Sequence, residues 1–145
     1  MTNILTKLEL RGDRIAIAAD QASAIIVDIF NLLGCPNDIS RAITEHLINA
    51  NLSGVESHGV MRVLQYAERR QNGTMRVDVR PEVITTETGM TVVDGGMGSG
   101  IPALHLAYEP AISLAVESGV AAALRGSCPA QSCELWCGTH AVRIY

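Results

Sequence analysis

The spacing of apolar residues changes once along this chain, near residue 80, and that change limits the folds open to it. Before it, the spacing is helical. Ala22, Ile25, Ile26, Ile29 and Leu33 recur on one face of an expected helix over 20–33. Asp20 stands where it can cap that helix, Gly34 where a left-handed residue closes one, and Pro36 cannot continue it. A second helix is expected over 39–52, capped by Asn37 or Asp38 and stopped by Gly54, with Ala42, Ile43, Leu47 and Ala50 as its buried stripe. A third is expected from near Ser57 to Asn72, burying Val60, Val63, Leu64 and Ala67 and ending at Gly73. Short connections join the three, so 1–80 reads as a small helical unit.

After the change the period is that of strands. Residues 82–86 and 90–94 are β-rich runs separated by Glu87, Thr88 and Gly89, which reads as a hairpin. A glycine-rich turn follows, Gly95-Gly96-Met97-Gly98-Ser99-Gly100. Residues 102–118 look helical, although Pro110 should kink that helix or begin a new one. Gly119 stops it, and 120–124 reads as a buried strand. Strand, helix and strand in that order predict an α/β fold, with the start of a mixed sheet over 81–125. Residues 126–145 keep no period and are expected to be an atypical tail.

Composition narrows the function classes. Aromatic residues are scarce, so the core is expected to be built from Ala, Val, Ile, Leu and Met. The eleven Lys and Arg are scattered and the net charge is −4, which gives no footprint for nucleic acid. Arg69 and Arg70 read as a solvated helix face. No apolar run approaches the roughly 20 residues of a membrane-spanning helix. The N-terminus carries Lys7, Glu9, Arg11, Asp13 and Arg14 and lacks the apolar core of a secretion signal, so a cytoplasmic protein is expected. With no export signal, a disulfide framework is not expected from the four cysteines.

The residues suited to chemistry cluster at 57–66. Ser57 and His58 stand at an expected helix start after a glycine turn, and His58, Arg62 and Tyr66 follow at four-residue spacing on one polar face. Histidine gives or takes a proton near neutral pH. Arginine grips a carboxylate with two parallel hydrogen bonds. A helix N-terminus adds attraction for an anion. An oxoacid fits such a face. Ordinary surface groups with Ser57 as a helix cap also fit it.

The stretch Gly54-Val55-x-Ser57-His58-Gly59-Val60-x-Arg62-x-x-x-Tyr66 resembles the signature of the malate/L-lactate dehydrogenase family of oxidoreductases, which includes ureidoglycolate dehydrogenases. The likeness continues through Gly73 and Pro81, through Val93-Asp94-Gly95-Gly96-x-Gly98-x-Gly100, and through Ala111-Ile112-x-x-Ala115-x-x-x-Gly119-Val120 to Leu124-Arg125. The resemblance implies hydride transfer between NAD or NADP and a 2-hydroxy or 2-oxo acid. It implies His58 as the proton donor or acceptor at the substrate oxygen, Arg62 at the carboxylate, and Ser57 and Tyr66 lining the same pocket. It also implies a homodimer for a complete member and a fold that is not of the Rossmann type. Gly98-x-Gly100-x-x-Ala103 does imitate a dinucleotide fingerprint, but the hairpin before it and Pro102 are poor context, so a tight turn is expected there.

The resemblance fades near residue 126. Members of the family are longer and carry a second active-site histidine shortly after this strand, where this chain has Cys128-Pro129-Ala130. A truncated, non-catalytic form with a shifted reading frame is therefore an expectation, as is a module that pairs with a full-length relative. Cys128, Cys133, Cys137 and His140 supply possible zinc ligands, but without a CxxC pair no metal site is expected.

Overall fold

A computed structural model describes residues 15–87, 90–126 and 140–143. The order of elements is α1 (Ala19–Leu32), α2 (Asn37–Leu52), a 3-10 turn (Glu56–His58), α3 (Arg62–Gln71), β1 (Glu82–Glu87), β2 (Met90–Asp94), α4 (Gly100–Ser118), β3 (Val120–Gly126) and β4 (His140–Arg143). The fold is α/β, with the helices first and a mixed four-stranded sheet of order β1-β2-β3-β4. β1 and β2 pair antiparallel, β2 and β3 parallel across α4, and β3 and β4 antiparallel.

The helical part closes on one apolar cluster. Ile26 and Phe30 of α1 meet Ile43 and Leu47 of α2, Val63 and Tyr66 of α3, and Met75 and Val77 beyond them. Ile101 of α4 belongs to the same cluster, so packing continues across residue 80. The sheet has its own core. Ala103, Ala107, Ala111 and Ala115 repeat every fourth residue along α4 and pack with Val93, Ala121 and Ala123. Small side chains along one face let the helix lie close to the strands.

Several expectations change. Asp20 and Asp38 lie in the first turns of α1 and α2, whose caps are Ala18 and Pro36, and neither helix has a side-chain cap. Asp20 Oδ1 accepts from the adjacent Gln21 N–H at 2.9 Å instead. The third helix is broken: a 3-10 turn ends at His58 and α3 starts at Arg62. Leu64 is exposed and Arg69 buried, the reverse of the expected stripe, and Arg69's carbonyl accepts from the Thr74 and Met75 amides. Two of the few aromatics, Phe30 and Tyr66, sit in the core with ring centroids 6.1 Å apart. Pro110 leaves α4 one continuous element from Gly100 to Ser118. The tail was expected to lack pattern, yet it contributes β4. Residues 127–139, including the cysteines considered for zinc, lie outside the described residues.

Candidate functional site

The loop between α2 and α3 is closed by short hydrogen bonds. The Val55 amide donates to the Ala50 carbonyl at 2.8 Å, and the Gly54 amide to the Asn51 carbonyl at 2.9 Å. These turn the chain out of α2. The His58 and Gly59 amides then donate to the Val55 and Glu56 carbonyls, each at 3.0 Å, which makes the 3-10 turn. The Arg62 amide donates to the Gly59 carbonyl at 2.9 Å and opens α3.

This arrangement brings Ser57, His58 and Arg62 together. Ser57 Oγ lies 2.9 Å from His58 Nδ1. Arg62 Nε donates to the Ser57 carbonyl oxygen at 2.7 Å, and Arg62 Nη1 donates to Gln65 Oε1 at 2.7 Å. Ser57 is exposed, while His58 and Arg62 are half-buried.

Tyr66 is placed differently from the expected polar face. It is only 5% exposed and packs in the helical core, so it does not share a solvated stripe with His58 and Arg62. Burial pushes the phenol above its ordinary 10.0, against the opposing pull of the Arg62 and Arg69 charges, a hydrogen bond with Ser99 and the Arg125 charge. The hydroxyl thus links α3 to the glycine-rich loop. His46 of α2 is drawn into the same neighbourhood. Burial lowers its pKa below 6.5, and the charges of His105 and His58 lower it further.

The glycine-rich loop is built around its own side chains. Asp94 Oδ1 accepts from the Gly96 amide at 2.9 Å, the Gly98 amide donates to the Gly95 carbonyl at 2.8 Å, and Ser99 Oγ caps α4 by accepting from the Ile101 amide. A Cβ on Gly100 would fall 1.6 Å from Arg125 Nη1, and one on Gly98 would fall 2.7 Å from Val79 Cγ2. The space these glycines free is filled by Arg125 and Val79. A tight, self-packed turn is what the loop shows.

Among the described residues, no three His, Cys, Asp or Glu side chains converge as metal ligands, and no helix is long and apolar enough to cross a membrane. Sequence reasoning missed Asn51, whose Oδ1 accepts from the Val60 amide at 2.7 Å. It stands nine residues upstream, and no spacing rule marks it.

The model of the malate/L-lactate dehydrogenase family matches residues 17–131. Malate dehydrogenase of Pyrococcus abyssi is 29% identical over 106 residues, covering 73% of this chain and 29% of that protein. Hydroxycarboxylate dehydrogenase B of Escherichia coli O157:H7 is 26% identical over 104 residues, covering 72% and 29%. Among solved structures, malate dehydrogenase from Pyrococcus horikoshii OT3 superposes with a TM-score of 0.71 at 26% identity, over 79% of this chain and 33% of that one. The Δ1-piperideine-2-carboxylate reductase of Pseudomonas syringae gives 0.72 at 25% identity, over 80% and 36%. The matched span is thus about a third of these relatives' length.

Proposed function

The chain belongs to the malate/L-lactate dehydrogenase family, and from that premise we propose that Ser57, His58 and Arg62 form the acid–base and carboxylate-binding part of a 2-hydroxyacid dehydrogenase. The observation that carries this reading is the locked turn: Ser57 Oγ at 2.9 Å from His58 Nδ1, and Arg62 Nε at 2.7 Å from the Ser57 carbonyl.

Each residue has a chemical task. With Ser57 on Nδ1, the histidine keeps Nε2 for the substrate oxygen. Reduction of a 2-oxo acid builds negative charge on that oxygen, and an imidazolium supplies the proton that neutralises it. In the reverse direction the neutral ring takes the proton. Arg62 spends Nε and one N–H of Nη1 on the protein, while Nη2 has no partner among the described residues. The end-on pair of Nη1 and Nη2 is therefore the edge offered to a carboxylate. Tyr66 lies in the core beneath α3, close enough for the Arg62 charge to act on its phenol. Relatives named for malate, sulfolactate and Δ1-pyrroline-2-carboxylate all act on small carboxylates. The substrate class is accordingly a 2-hydroxy or 2-oxo acid.

NAD or NADP is the hydride partner that such a reaction requires. The glycine-rich loop is not a cradle for it, because Arg125 and Val79 occupy the space at Gly100 and Gly98. No residue here is assigned to that cofactor. The locked turn by itself also suits a second reading, a non-catalytic module that still binds the acid.

One experiment separates the two. NADH and NADPH oxidation is followed with the 145-residue chain, a panel of 2-oxo acids and a His58→Ala control. Turnover lost in the control is the dehydrogenase result. Binding of the acid without turnover is the module result, and turnover that survives in His58→Ala refutes the role given to His58.

A further inference from the structure

We propose that Asn51 is the positioning residue of the His58 turn. Asn51 lies in the last turn of α2 and holds the following loop at both of its ends. Its backbone carbonyl accepts from the Gly54 amide at 2.9 Å, and its side-chain Oδ1 accepts from the Val60 amide at 2.7 Å. Ser57 and His58 lie between these two anchors.

Gly59 completes the fit. A Cβ at that residue would lie 1.7 Å from Asn51 Oδ1, 2.6 Å from Asn51 Cγ and 3.2 Å from the Leu47 carbonyl. The missing side chain is what admits the Asn51 amide beneath the turn. Arg62 closes the opposite side through the Ser57 carbonyl. The histidine is thereby tied to α2 through Asn51 and to α3 through Arg62. Its hydrogen bond to Ser57 cannot replace either tie, because Ser57 moves with the same turn. Removing Oδ1 leaves a half-buried Val60 N–H without its acceptor and lets the turn shift against α2. The consequence for proton transfer rests on the reading of His58 given above; the structural role does not.

Nuclear magnetic resonance on the whole chain tests this with Asn51→Ala, which removes the acceptor, and Asn51→Asp, which keeps an oxygen at the same place. In the unaltered chain the Val60 amide exchanges slowly with solvent. Its exchange accelerates about tenfold in Asn51→Ala and is restored in Asn51→Asp. The His58 ring signal moves in Asn51→Ala and returns in Asn51→Asp. The amides of β3 stay in place and report an intact fold. A fast Val60 amide in the unaltered chain overturns the proposal, as does a His58 signal that stays put in folded Asn51→Ala or moves only along with the β3 amides. If Asn51→Ala does not fold, the Val60 exchange of the unaltered chain and of Asn51→Asp decides. Oxamate added to the unaltered chain is a separate readout: a His58 ring that ignores it counts against the dehydrogenase reading, while the Asn51 results stand on their own.

Discussion

Arg62 Nε donates to the Ser57 carbonyl oxygen at 2.7 Å, so the guanidinium proposed as the carboxylate's partner also closes the turn that carries His58. Under that proposal one side chain both shapes the site and binds in it. A lysine in its place keeps the charge but has a single nitrogen and no fork.

Arg62→Lys is therefore expected to behave much more like Arg62→Ala than like the unaltered chain. Losing a charge-assisted hydrogen-bonded pair costs roughly 1.5–3 kcal/mol, which is about 10- to 150-fold in affinity for oxamate. Calorimetric titration measures it. Oxamate affinity unchanged in Arg62→Lys would show that the fork is not used.

Gly59→Ala brings a methyl group into the space of the Asn51 amide. Overpacking of this kind costs about 1–3 kcal/mol, and it also breaks the bond between Asn51 and Val60. Urea unfolding should show the loss. A change under about 0.5 kcal/mol, the range of an ordinary surface substitution, would mean that the turn moves aside freely.

Tyr66 separates packing from hydrogen bonding. Tyr66→Phe keeps the ring against Phe30 and loses the hydroxyl that meets Ser99, at a cost of about 1 kcal/mol. Tyr66→Ala empties the core site and costs about 3–5 kcal/mol. Equal losses in the two variants would contradict the burial of the ring. Burial raises the phenol's folded pKa above 10.0, so its contribution to stability is present below that pH and is lost as pH rises through it.

His46 gives a pH dependence of the opposite sign. Its folded pKa is lowered from 6.5, by burial first and then by the charges of His105 and His58. Between the lowered value and 6.5 the unfolded chain binds more protons, so stability rises with pH through that window and falls on acidification. His46→Gln should flatten that slope in urea unfolding at a series of pH values. An unchanged slope would remove His46 as its source.

Much of the fold was legible because it depends on local period. The stripe of α2, the β1–β2 hairpin, and α4 between two parallel strands all follow from spacings of apolar residues; in α1 the stripe holds except that Ile25 is exposed and Phe30 is buried in the core. The break at Gly59 was not legible. Val60, Val63, Leu64 and Ala67 suit an unbroken helix, whereas the break at Gly59 is held by the tertiary contact with Asn51. Tyr66 misled for a related reason: its hydroxyl marks it as polar, yet the partner that allows burial, Ser99, is distant in sequence. β4 is four residues long, too short to show a period, and is defined by its register with β3. At the site, the pairing of Ser57 with His58 follows from adjacency, whereas the second task of Arg62 needed coordinates.

The most direct test of the central claim is an oxamate titration of the chain followed at the His58 ring and the Arg62 Nε–H by magnetic resonance. The account predicts saturable shifts at both groups with one common midpoint, and their loss in Arg62→Ala. A folded chain in which neither group responds to oxamate would contradict it.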